Sequence, residues 1–190
     1  WQMLANYIGP VLNYVYNITM PLMALYVALG LGYNLCKIYK INSMMPILIT
    51  VSSFIISACM NSEGTLTFQY FDATGLFTAI FVSIIAFEVY RFLNEKQVGR
   101  INLEGGGVPP ALADSIGNLV PVVIVLIVTA LLNYALLFLS SINLPQLIST
   151  VMNPFVSVVD NVWGIIILAV IVMIFWWFGI HDSVITSALD

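Results

Sequence analysis

Leu119-Val120-Pro121-Val122-Val123-Ile124-Val125-Leu126-Ile127-Val128-Thr129-Ala130-Leu131-Leu132-Asn133-Tyr134-Ala135-Leu136-Leu137-Phe138-Leu139 is a run of 21 residues without a charge. About 20 apolar residues in a helix match the ~30 Å hydrocarbon core of a bilayer. A helix also satisfies its own backbone hydrogen bonds, which lipid cannot do for it. The run therefore assigns the chain to the all-α integral membrane proteins. Composition agrees: 61% of residues are hydrophobic and 7% charged, against about a quarter charged in soluble domains. Membrane spans are then the unit of organisation, and about five fit the 190 residues.

Toward the amino end, Glu95 to Gly107 is the most polar segment and contains Gly105-Gly106-Gly107. A phosphate-binding loop is excluded there. No Lys-Ser or Lys-Thr follows the glycines, and Pro109-Pro110 removes two backbone donors where a cradle would need them. The segment reads as a hinge, and Val108 to Ser115 as a turn into a short helix with prolines in its first turn. Ala73 to Leu93 is a third span in chain order, with Glu88 and Arg91 near its end. Their i,i+3 spacing predicts an ion pair on one helix face at the membrane boundary.

Asn61 to Asp72 reads as a polar turn, and Met44 to Met60 as a second span of 17 residues. Trp1 to Cys36 carries no charge and forms the first span, densest in apolar residues from Pro21 to Leu35 and closed by Lys37 and Lys40. Pro21 predicts a kink. Asn13, Asn17 and Thr19 lie near its entrance and could face either a bundle interior or the solvated interface. Cys36 and Cys59 fall in or beside different spans and lack metal-ligand spacing, so both read as buried small hydrophobes. No metal or cofactor is expected.

Toward the carboxyl end, Leu147, Ile148, Val151, Met152, Phe155, Val158 and Val159 recur at helical spacing opposite Ser149, Thr150, Asn153, Ser157 and Asp160. This pattern predicts an amphipathic helix lying in the membrane interface, with Pro154 a potential break in it. Val162 to Ile180 is the fifth span. It runs through Phe175-Trp176-Trp177-Phe178-Gly179-Ile180 into His181, the single histidine of the chain. Paired tryptophans near a span end fit the aromatic belt. His181 is the candidate binding residue, because an ionisable group at the end of an apolar span is costly to desolvate. Asp182 could cap the segment that follows.

The five basic residues are Lys37, Lys40, Arg91, Lys96 and Arg100, and all fall in or beside the first-to-second and third-to-fourth connections. The positive-inside rule then places the amino end outside and His181 at the cytoplasmic side or in a re-entrant segment reached from that side. An outside start without a signal sequence is expected to reflect an earlier span not contained in this stretch, and both ends read as cuts in a larger transporter. The net charge of -4 comes without a basic run long enough for a polybasic lipid patch or a nucleic-acid surface, and nucleic acid is excluded.

Two motifs give the chain a family resemblance. One is Val108-Pro109-Pro110-Ala111 with Ala113-Asp114-Ser115 and Pro121; the other is Trp177-Phe178-Gly179-Ile180-His181. With a weaker third, Asn17 to Tyr33, they make the chain similar to enzyme IIC, the membrane subunit of bacterial sugar phosphotransferase systems, in the lactose, cellobiose and chitobiose branch. The resemblance implies a multi-pass permease of the bacterial cytoplasmic membrane, expected to be a homodimer. It would bind a β-linked disaccharide from outside and present it to a phosphocysteine on its partner, enzyme IIB. His181 corresponds to the family's sugar-contacting histidine. The family's candidate base is a glutamate further along, and none here occupies that position, the last being Glu104; no catalytic residue is therefore assigned. Asp182 departs from the glycine usual after the histidine.

The resemblance also divides the chain. Residues 1–140 would be the dimerisation bundle lacking its first span, 141–161 the amphipathic connector, and 162–190 the start of the sugar-transport domain. The alternative is a proton-coupled secondary transporter using His181 or Glu88, which would accumulate its substrate unmodified.

Overall fold

The structure is a computed structural model that describes residues 2–41, 44–60, 67–101, 113, 116–159 and 161–177. Among these residues there are helices and turns and no strand. The helices are α1 (Gln2–Thr19), α2 (Met23–Ile38), α3 (Met45–Cys59), α4 (Leu76–Glu95), α5 (Leu119–Ser140), α6 (Leu144–Val159) and α7 (Val162–Trp177). Among the described residues three stretches are long and apolar enough to cross a membrane: Tyr7–Ile38, Ala73–Glu95 and Leu119–Ser140. The 15 residues of α3 span only about 22 Å at 1.5 Å per residue.

The chain divides into two compact units, Trp1–Gln146 and Leu147–Asp190. In the first, α2, α3 and α4 all pack on one another, and α5 packs against α3 and α4. Gly32 of α2 meets Thr50 of α3, and Ala24 clusters with Phe54 and Ala58, so these two helices run antiparallel. Ala86 and Tyr90 of α4 gather with Ile49 of α3 and Val125 of α5, while Ala79 joins Phe54. The helices thus alternate up and down, and the ends of α2 and α4 come together. All five basic residues follow or close these two helices, as the sequence pattern requires.

Pro21 interrupts the first span as expected: Met20–Leu22 is a 3-10 turn between α1 and α2. The Asn61 to Asp72 segment is less polar in practice than its composition suggests. Within its described part, Tyr70 and Phe71 are buried, and Phe71 packs on Phe54 at 5.4 Å between ring centroids. The Phe71 carbonyl accepts the Ala24 amide at 2.9 Å, capping α2. A Cβ at Gly75 would overlap the Tyr70 carbonyl, so glycine is what lets this turn close against α4. Asp72 accepts the Thr74 amide at 2.9 Å and starts the following turn.

At the other end, α2 and α4 stop in the same way. Ile41 donates back to the Cys36 carbonyl at 2.9 Å and Lys40 to Lys37 at 3.2 Å; Val98 donates to Leu93 at 2.9 Å and Gln97 to Asn94 at 3.1 Å. Both are Schellman caps, with Lys40 and Gln97 in the left-handed region that glycine usually occupies. Asn143 and Gln146 cap α6 reciprocally: each side-chain oxygen accepts the other's amide, at 3.0 and 3.2 Å. The amphipathic helix therefore begins at Leu144, before the first residue of its apolar pattern, and it continues through Pro154 without breaking.

Candidate functional site

His181, the residue on which the sequence reading centres, lies outside the described residues, as do Asp182 and most of Val108 to Ser115. The helical backbone that leads to His181 is described through Trp177. The connection that carries Val108 to Ser115 has ends that are closely held. The Ile101 amide donates to the Gly117 carbonyl at 3.1 Å, and Arg100 runs alongside Gly117. Gly99, at φ +69°, packs against Val120 and Ile124 of α5. The described ends of this connection, Ile101 and Gly117, thus meet beside Arg100.

Glu88, the alternative proton site, is fully engaged. Its Oε2 pairs with the Arg91 guanidinium at 2.9 Å, the pair the i,i+3 spacing predicts. Its Oε1 accepts the Tyr39 hydroxyl at 2.9 Å. Arg91 lies 4.3 Å above the Tyr39 ring centroid and 3.6 Å from Glu95, and Tyr39 stacks on buried Phe87. The hydrogen bond to Glu88, with desolvation second, pushes the Tyr39 hydroxyl above its usual range. A carboxylate with both oxygens committed to a cation and a phenol is a brace joining α2 to α4. Sequence spacing finds Glu88 with Arg91 but not Tyr39, which is 49 residues away from Glu88 in the chain.

A second polar feature lies within the bundle. The Asn133 side-chain amide donates to Ser57 Oγ at 3.0 Å and to the Thr129 carbonyl at 2.8 Å, while Thr129 and Ser53 hydroxyl oxygens lie 3.4 Å apart. Ser53, Ser57 and Asn133 are buried. The signal available in the sequence is the matched i,i+4 spacing of Ser53 with Ser57 and of Thr129 with Asn133. Interhelical bonds of this type join membrane helices where apolar burial cannot. Asn13 and Asn17, by contrast, are exposed on α1, and the Thr19 hydroxyl donates to the Val15 carbonyl of its own helix at 2.8 Å. Among the described residues no three His, Cys, Asp or Glu side chains gather as metal ligands would.

Comparison with known proteins places this architecture. The description "Phosphotransferase system, EIIC" matches residues 1–189. The chain is 27% identical over 192 residues to the PTS system cellobiose-specific EIIC component of Geobacillus stearothermophilus, covering 94% of this chain and 42% of the relative. It is 26% identical over 163 residues to the PTS system lactose-specific EIICB component of Streptococcus mutans, covering 84% of this chain and 28% of that one. Its fold is similar to the crystal structure of the transporter ChbC, the IIC component from the N,N'-diacetylchitobiose-specific phosphotransferase system. That likeness has a TM-score of 0.80 at 23% identity and covers 96% of this chain and 46% of the other. The chain thus spans less than half the length of the proteins it matches.

Proposed function

The chain belongs to the phosphotransferase system EIIC family, and from that premise we propose that it works as part of a sugar-specific permease taking a β-linked disaccharide. The observation that carries this reading is the family match across residues 1–189. The cellobiose and lactose specificities of its relatives support the substrate class. The partner is an enzyme IIB whose phosphocysteine phosphorylates the delivered sugar; a relative named EIICB is consistent with that pairing.

Within the permease, residues 1–140 act as the dimerisation bundle of a homodimer, 141–161 as an interfacial connector, and 162–190 as the first part of the sugar-transport domain. The assembly sits in the bacterial cytoplasmic membrane with several passes, the basic ends of α2 and α4 toward the cytoplasm. His181 contacts the sugar: a neutral imidazole can donate to or accept from a hydroxyl, held in orientation by its second nitrogen. Glu88, already braced by Arg91 and Tyr39, has no part in moving protons.

The test is binding of cellobiose, chitobiose and lactose to the full-length permease in detergent, wild type against His181→Ala. A loss of about 1–3 kcal/mol in the variant, the order of a buried hydrogen bond, is the expected result. Appearance of phosphorylated sugar on adding phosphorylated enzyme IIB is expected as well. Accumulation of unmodified sugar would replace group translocation with secondary transport.

A further inference from the structure

The end of α2 and the start of α3 enclose a recess of about 510 Å³ lined by Tyr33, Cys36, Lys37, Lys40, Ile41, Met44 and Ile47. That is within the size range of small-ligand sites, about 300–1,000 Å³. Its described lining combines two lysines, Lys37 and Lys40, with the aromatic and apolar side chains of Tyr33, Ile41, Met44 and Ile47, and includes no acid. Among the described residues neither lysine pairs with a carboxylate; the ion pairs join Arg91 to Glu88 and Glu95. The first turn of α3 adds to the positive field. Its N-cap, Met44, provides no side-chain cap, and no acidic residue lies in that turn, so the helix-start dipole faces outward. Lys40 sits at φ +55°, a conformation glycine would adopt more cheaply, yet it carries a cationic side chain there.

We propose that this recess binds the phosphate group of an anionic phospholipid. Lys37 and Lys40 act as its counter-ions, and Tyr33, Met44 and Ile47 lie against the glycerol and first methylenes. Both kinds of lining residue suit this ligand: the lysines match the phosphodiester charge, and Tyr33, Met44 and Ile47 offer apolar contact, with Tyr33 exposed on α2. Free phosphate would use only the two lysines. Both lysines are exposed, so the attraction weakens as salt rises.

Native mass spectrometry of the full-length protein in detergent, titrated with phosphatidylglycerol and separately with phosphatidylcholine, tests the assignment. The expected result is preferential retention of phosphatidylglycerol, weakened about tenfold in Lys37→Gln/Lys40→Gln. It should stay within about twofold of wild type in Lys96→Gln, which removes a cation outside the recess. Met44→Trp enlarges the apolar lining and leaves both charges, and it should also weaken lipid retention. Thermal unfolding in phosphatidylcholine alone checks that each variant folds. Unchanged phosphatidylglycerol binding in the double variant, or an equal loss in Lys96→Gln, would overturn the site. Displacement of the lipid by millimolar inorganic phosphate would assign the recess to free phosphate instead.

Discussion

Helices α3 and α5 pack against each other, yet they use their residues in opposite ways. The uncharged run of α5 is the clearest span in the sequence, but of its 22 residues only Pro121, Val125 and Asn133 are buried. In α3, which is shorter and carries Thr50, Ser53 and Ser57, eight of 15 residues are buried, those three among them. In water the more apolar helix would take the core. In a bilayer lipid tails are as apolar as leucine, so hydrophobicity does not select the inward face; small residues and interhelical hydrogen bonds do.

The widest separation between the two helices should come from their phenylalanines. Phe54→Ala, at a fully buried ring, should cost about 3–5 kcal/mol, as deletion of a packed aromatic does. Phe138→Ala on α5, 79% exposed, should stay within about 0.5 kcal/mol. Reversible unfolding in mixed micelles measures both, and a large cost at Phe138 would mean that this face of α5 is covered by another subunit or segment. Next in size is Gly32→Leu: a Cβ there would already overlap Thr50 Oγ1. Wedging α2 from α3 should destabilise by about 1–3 kcal/mol, the range for overpacking, with a matching fall in melting temperature.

A double-mutant cycle on Ser57→Ala and Asn133→Leu should return a coupling of about 0.6 kcal/mol, the average for hydrogen bonds between membrane helices, and no more than about 1.7 kcal/mol. Coupling near zero would remove the polar contact from the account of why α3 and α5 associate. The smallest effect belongs to Tyr39→Phe at the boundary. The wild-type hydroxyl has its pKa raised by its bond to Glu88, so its stabilisation is full below the ordinary tyrosine range and is lost as pH rises through the higher folded value. Tyr39→Phe should remove that component of the alkaline loss and leave the neutral-pH fold in place. An unaltered alkaline unfolding profile would show that the phenol bond contributes nothing to the α2 to α4 brace.

Several features were legible from residue order alone because they depend on local spacing. Charge-free runs mark the helices, Pro21 marks the interruption of the first, and i,i+3 placement pairs Glu88 with Arg91. Contacts between distant segments were not legible. Tyr70 and Phe71 sit in a stretch whose composition reads as a solvated turn, and only their packing on Phe54, Ala24 and Ala28 puts them in the core. Tyr39 joins Glu88 because the ends of α2 and α4 meet, which no periodicity within either helix implies. The candidate site divides the same way: His181 and the motif from Val108 to Ser115 are sequence findings outside the described residues, and the recess at Lys37 and Lys40 emerges only from how α2 turns into α3.

By itself the sequence determined that this is a helical membrane protein, where its apolar helices run, and that its basic residues gather at alternate connections, since each follows from composition and local period. Tertiary structure alone decided which faces of α2, α3, α4 and α5 are inside. Lipid and protein interior are equally apolar, so that choice rests on close fit at Gly32, on the contacts of Ser53 and Ser57 with Thr129 and Asn133, and on a turn that closes only at Gly75.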